Sequence, residues 1–284
     1  MLNPHYIKVY THLGIHKLPI ESSIGVEKAP DKILSDKFLT NLNYPETSEF
    51  KFSQQSSDLY QTILKESLEL RNLISKKIKE NETVIVIGGD HSITFPSILA
   101  DLERFGTNIG VIHFDSHADF NLFKTSPSEN FHGMYLRIFF DKYDLPFFEN
   151  AVPNKIPLSN LIFIGDLELD SEESNFIRNN KLNTVSSLDM ENSKNKVLDQ
   201  LKIFVEKHKH IHISFDVDVF RKEIASATTT PSQNGFSRKP IFEILSIIKN
   251  AKSITLDIAE INPEKKGAEQ TIKLAQKVIY FLLS

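Results

Sequence analysis

The stretch VIHFDSHADF, Val111 to Phe120, begins as a buried strand and ends as something else. Val111-Ile112-His113-Phe114 is mostly apolar, and Asp115, His117 and Asp119 then follow at every second position. A strand sends alternate side chains to one face, so this spacing aims all three groups the same way where the strand runs out. Burying two carboxylates and an imidazole together is costly without a cation to offset them. The stretch therefore reads as a core strand that delivers metal ligands at its carboxyl end.

Further runs share the form. IGVIHFD (Ile109–Asp115) is one of a set with TVIVIGG (Thr83–Gly89), NLIFIGD (Asn160–Asp166), IHISFDVD (Ile211–Asp218) and SITLDIAEI (Ser253–Ile261). Each closes on or beside Gly, Asp or Glu. Continuous apolar character, rather than alternation, predicts strands covered on both faces, as in a parallel sheet. Between them lie helical patterns. Ser57 and Asp58 can cap a helix running to about Lys79, and Pro96–Phe105, about Val197–Lys207, Pro240–Ile248 and Ala268–Leu283 carry similar apolar stripes. This alternation predicts a doubly wound α/β fold, three layers with a mainly parallel central sheet. With no repeat, low-complexity tract or Pro/Gly/Ser linker, residues 1–284 are expected to form one domain. The Phe-rich stretch Ile138–Pro157 is expected to be irregular, a packed surface excursion or a subunit contact.

Composition excludes several classes of function. A net charge of −4 gives no general attraction to nucleic acid or acidic membrane. The absence of cysteine removes disulfides, thiolate zinc sites and cysteine nucleophiles. No apolar stretch reaches the roughly 18 residues of a membrane span, and the start of the chain lacks a secretory pattern, so a cytoplasmic protein is expected.

In an open parallel sheet, ligands bind outside the carboxyl ends of the strands. That rule gathers scattered residues at one edge: His91 in GGDHS, Asp115, His117 and Asp119 in DSHAD, Asp216 and Asp218 in SFDVD, and Glu260 in LDIAEINP. Carboxylates with imidazole and no thiolate suit a borderline-hard divalent ion, Mn²⁺ above all. Six ligands are too many for one catalytic ion with an open position, whereas carboxylates bridging two ions about 3.5–4 Å apart account for them. Asp216-x-Asp218 does not continue as a calcium loop, since the Gly and Glu such a loop needs are missing.

Taken together and in this order, the segments resemble the ureohydrolase family of arginases, agmatinases and their relatives, as does GVEKAPDKIL (Gly25–Leu34) near the start. The resemblance covers most of the chain and is nearest to the arginases. It implies two Mn²⁺ per subunit, one held by His91, Asp115, Asp119 and Asp216, the other by Asp115, His117, Asp216 and Asp218. It also implies hydrolysis of a guanidino group by a hydroxide shared between the ions. Asp119 would steer the hydroxide proton, Glu260 would orient the guanidinium, and His132 in NFHGM would help protonate the departing amine. Thr230 would support Glu260. Asn121, Ser126, Ser128 and Asp170 stand where arginases contact the amino-acid end of the substrate. L-arginine, cleaved to L-ornithine and urea, is the first substrate expected. The alternatives are agmatine, guanidinobutyrate or formimidoylglutamate, or a catalytically silent homologue. Like its relatives, the chain is expected to be a homo-oligomer, a trimer or hexamer. It departs from the family pattern beside the substrate, at Arg221-Lys222, Thr229-Thr230-Pro231 and Asn234-Gly235.

Overall fold

The computed structural model describes residues 4–16, 24–53, 58–78 and 83–284. Among these, eight strands form one sheet in the order β2-β1-β3-β8-β7-β4-β5-β6. They are β1 His5–Tyr10, β2 Thr47–Lys51, β3 Thr83–Ile87, β4 Gly110–Phe114, β5 Leu161–Ile164, β6 Asn183–Val185, β7 Ile211–Asp216 and β8 Ile254–Ala259. Every pairing is parallel. The five expected strands are five of the six inner ones, each shorter than its apolar run because the last residues turn out of the sheet. Three strands were not expected: β1, and the edge strands β2 and β6. The sequence of β2, TSEFK, alternates in and out of solvent with only Phe50 as an apolar member. β6, with just three residues, is too short to show a period.

Both sheet faces are apolar because both are covered. Along β4, Ile112 and Phe114 join one core with Phe215, Ile213 and the helices α4 Ser187–Lys207, α5 Arg238–Ile248 and α6 Ala268–Leu283. Val111 joins another with α1 Leu59–Ser75 and α2 Thr94–Phe105. This is the expected three-layer α/β/α arrangement. The helix α1 starts at the Asp58 cap, whose side chain accepts from the Gln61 amide at 3.1 Å, and stops at Ser75, short of the expected end. Ser57 and Lys79 lie outside the described residues. The helix expected near Val197 is the second half of α4, which bends at Ser193. A further helix, α3 Ser171–Asn180, was missed, since its stripe is reduced to Ile177 and Phe176.

One seam of the sheet is polar. On α2, Thr94, Ser97 and Asp101 share a face and meet Ser214, Asp257, Thr255 and His212. The Phe-rich stretch packs inward: Phe148, on the short helix Pro146–Ala151, stacks on Phe131 at 4.5 Å and meets Phe95 edge-on. It thereby anchors the loop that carries His132.

Candidate metal centre

The four central strands β3, β8, β7 and β4 are neighbours, so the turns at their carboxyl ends share one edge. Phe114 pairs with Phe215, which sets Asp115 beside Asp216, and Asp216 itself pairs with Ala259, the residue before Glu260. His91 opens the turn into α2, with Asp90 capping that turn from below.

The expected ligands converge. His91 Nδ1 lies 2.9 Å from Asp115 Oδ2, 2.9 Å from Asp119 Oδ2 and 3.8 Å from Asp216 Oδ2. On the other side of Asp115, His117 Nδ1 is 3.2 Å from Asp115 Oδ1 and 3.1 Å from Asp218 Oδ2. Two groupings able to hold an ion result, one of His91, His113, Asp115 and Asp119, the other of Asp115, His117 and Asp218. Asp115 belongs to both, as a bridging carboxylate would. Asp216, the other expected bridge, stands outside both groupings, and its Oδ1 accepts from the Asp218 amide at 2.8 Å. The ligand turns are braced by their own amides: Ser116 donates to Asp218 and His117 to Asp115.

Protonation shows the strain of collecting these charges. Burial, reinforced by the charges of Asp218 and Asp115, raises the Asp216 carboxyl well above the usual range. Burial and Asp115 likewise push Asp218 up to about 7. Burial would lower His91, yet Asp115 and Asp119 hold its imidazole well above its ordinary value. Carboxylates that cannot all ionise, facing imidazoles held charged, are what a divalent cation relieves. His91 Nδ1, Asp115 Oδ2 and Asp119 Oδ2 are buried without a hydrogen-bond partner, and all three face the same point. The residues therefore fit a bound metal.

Beside the ligands, Glu260 is fixed from three directions. Its carboxylate accepts from the His91 amide at 2.7 Å, lies 2.9 Å from His132 Nδ1, and accepts from the Thr229 hydroxyl. The hydroxyl that reaches it is thus Thr229's rather than that of the expected Thr230, which lines the cavity instead. Burial would raise Glu260, but the charge of His132 brings it below its usual value, and Glu260 in turn raises His132 against burial. Asp119 and Glu260 both hold left-handed backbone, at φ 51° and 63°. Such conformations are costly for residues with a Cβ and concentrate at functional sites.

Comparison with known proteins gives the same family. The model of the arginase family matches residues 19–284. The chain belongs to the arginase family. It is 29% identical to an arginase of Staphylococcus aureus over 87% of this chain and 84% of that protein. It is 32% identical to an arginase of Emericella nidulans over 72% of this chain and 67% of the other. A crystal structure of Entamoeba histolytica arginase in complex with L-ornithine superposes with a TM-score of 0.87 at 26% identity, covering 99% and 97% of the two chains. Membership makes the chain an enzyme, a hydrolase of guanidino compounds.

In this family member, the candidate ligands other than Asp115 line a cavity of about 220 Å³. Its walls include every substrate contact expected from the sequence: Asn121, Ser126, Ser128, Asp170 and Thr230. Asn121 Nδ2 donates to Asp170 Oδ2 at 2.9 Å, while the Ser126 and Ser128 hydroxyls accept from the amides of Glu129 and Asn130. Sequence reasoning missed Glu168, Glu173 and Asn130 in the walls. Glu173 forms a capping box with Asp170 at the start of α3, also accepts from the Phe120 amide, and is raised by burial to about 7. Its signal, Asp-x-x-Glu in DSEE, was legible as a cap once α3 was known to start there. The departures at 221–235 form a tied loop: Lys222 donates to the Ser232 carbonyl and Arg221 to that of Phe236. Gly235 lies so close to the Arg221 amide that a Cβ would come within 2.4 Å, so only glycine fits there.

Proposed function

We propose that the chain hydrolyses L-arginine to L-ornithine and urea with two Mn²⁺ ions held between His91 and His117. The observation that carries this reading is Asp115, whose two carboxylate oxygens face the two imidazoles. His91, Asp115, Asp119 and Asp216 would hold one ion, and Asp115, His117, Asp216 and Asp218 the other. Bound there, such ions would supply a nucleophile at neutral pH, which a guanidinium carbon, a poor electrophile, requires.

The chain's own groups do the rest. Glu260, braced by Thr229 and the His91 amide, would pair with the guanidinium and orient its carbon towards the ions. Asp119, beside His91, would accept and steer the proton of the attacking water. His132, partly exposed and linked to Glu260, would carry a proton to the departing amine. The acidic wall of Glu168, Asp170 and Glu173 favours a substrate with a second positive group, such as the α-amino group of arginine. The same wall counts against formimidoylglutamate, whose far end is anionic. Asn121, Ser126 and Ser128 would meet the α-carboxylate, a group agmatine lacks.

Urea release from L-arginine, with agmatine in parallel, tests the proposal after reconstitution with Mn²⁺. Turnover of arginine is expected. Turnover of agmatine alone, or of neither, would refute the substrate assignment. An oligomer, a trimer or hexamer, is proposed on the family likeness, and light scattering checks it. Residues 1–284 are proposed to act as one domain, in which case limited proteolysis leaves no separately stable half.

A further inference from the structure

Beneath the candidate ligands lies a layer that the proposed reaction does not use. On β7, Ser214 precedes Asp216 by two residues, and on β4, His113 precedes Asp115 by two; the two are paired in register. Each therefore sits directly under a carboxylate of the centre, on the same face of its strand. Ser214 Oγ is a buried hub, 2.7 Å from His91 Nε2, 3.1 Å from the Tyr135 hydroxyl, 3.2 Å from His113 Nδ1 and 3.4 Å from Thr94 Oγ1. The rings of His91 and His113 stack above it, 5.2 Å apart and 15° from parallel. All these groups are buried.

We propose that Ser214, with His113 as its acceptor, is a positioning residue for the metal centre. The inference rests on the reading of that centre given above. The argument is one of proton placement. His91 turns Nδ1 toward Asp115 and Asp119, so Nδ1 must be bare to take an ion, and its ring proton must sit on Nε2. That proton is donated to Ser214 Oγ. The oxygen has a second lone pair for the Tyr135 hydroxyl, and its own proton goes to His113 Nδ1. His113 then carries its proton on Nε2, which faces Asp115 Oδ2 from 3.3 Å. One hydroxyl thus selects the tautomer of a ligand and of the residue under the bridging carboxylate. Outer contacts of this kind hold a ligating imidazole in orientation and raise its basicity.

The test is a calorimetric titration of the full chain with Mn²⁺, wild type against Ser214→Ala, with the melting temperature of the metal-free forms as a folding control. Ser214→Ala is expected to bind about 10–100-fold more weakly. A wild type that takes up no Mn²⁺ overturns the metal centre and the positioning role together. A wild type that loads, with Ser214→Ala loading equally well, overturns the positioning role alone. Should Ser214→Ala fail to fold, nitrogen NMR of wild type loaded with diamagnetic Zn²⁺ decides without it. Expected is His91 bound through Nδ1 with its proton on Nε2, and no bound nitrogen on His113. A bound His91 Nε2 or a bound His113 nitrogen would overturn the assignment.

Discussion

Strand β7 meets histidines and carboxylates at both ends, and the two meetings differ. At its carboxyl end Asp216 and Asp218 join Asp115, Asp119 and Glu260 around His91 and His117, beside an open cavity. Near its start His212 lies between two carboxylates, with Nδ1 2.7 Å from Asp101 Oδ2 and Nε2 3.0 Å from Asp257 Oδ2. His210 adds a second imidazole 3.1 Å from Asp101. The residue types are the same, but the sums are not. In the seam, imidazoles match carboxylates, and hydroxyls of Ser97 and Thr255 donate to the outer oxygens. His212 is accordingly raised to about 9: burial opposes its charge, and Asp257 and Asp101 outweigh that. At the site carboxylates are in excess, and Asp216 and Asp218 are raised instead. A buried His/Asp cluster thus reads as a metal site when its carboxylates outnumber its cations and a cavity reaches it. When the charges balance and helix α2 covers them, it is a structural ion pair.

The strongest way to break this comparison is to remove one carboxylate from each cluster. Asp115→Ala should abolish nearly all urea release and Mn²⁺ uptake, a loss well beyond the ~10–100-fold of outer contacts, while leaving the metal-free fold intact. Metal analysis by mass spectrometry checks it, and full occupancy would refute the shared role of Asp115. Asp101→Ala should do the reverse. It strands His212 and His210 in the core and should cost about 3–5 kcal/mol in denaturant unfolding, with Mn²⁺ affinity of the folded chain unchanged.

The seam also sets a pH dependence. Because the folded value of His212 is raised, its stabilisation is complete below the ordinary histidine value near 6.5 and is lost as pH climbs through about 9. The shift corresponds to roughly 3 kcal/mol. Asp101 is held down to about 2 against its burial, chiefly by His210 and then by His212, and the His212 share of that is not counted twice. Denaturant midpoints of the metal-free chain should fall between pH 6.5 and 9, and His212→Gln should flatten that slope. An unchanged slope would mean that His212 is neutral.

How much of this was legible beforehand follows from what each residue depends on. Five of the six inner strands announce themselves by continuous apolar runs, and their polar last residues could be assigned to one edge by the sheet rule alone, whereas inner β1, HYIKVY, carries His5 and Lys8 and shows no such run. β2 and β6 lie at the rim, where no continuous apolar run is needed. The candidate ligands were readable because each stands in a short motif at a strand end. Thr229 was not: choosing it over Thr230 depends on how the loop enters the bridge of Thr228 with Ile261, which no local pattern encodes. Ser214 and His113 were hidden in plain strands, and only register shows them to be a pair.

Thr229 gives an intermediate test. Its hydroxyl donates to Glu260, and Lys265 holds its carbonyl and that of Thr228. A hydrogen bond to a charged acceptor contributes about 1.5–3 kcal/mol, so Thr229→Val should lower kcat/KM for arginine by roughly 10–100-fold. Mn²⁺ affinity should hold, and Thr230→Val should have the smaller effect. Equal losses would show that both threonines act on Glu260.

The smallest expected effect lies in the cavity wall, at a residue outside both clusters. Asn121 gives one amide proton to Asp170 and leaves Oδ1 buried without a partner. If its amide also meets the substrate carboxylate, Asn121→Ala removes a neutral-to-charged hydrogen bond that agmatine never makes. Arginine should then lose roughly tenfold in kcat/KM, mostly through KM, and agmatine should change little. The arginine-to-agmatine ratio is the informative quantity, because it cancels any general damage to the cavity wall. A ratio that stays fixed while both rates fall would make Asn121 a brace for Asp170 and the cap of α3. Selectivity would then rest with the acidic wall alone.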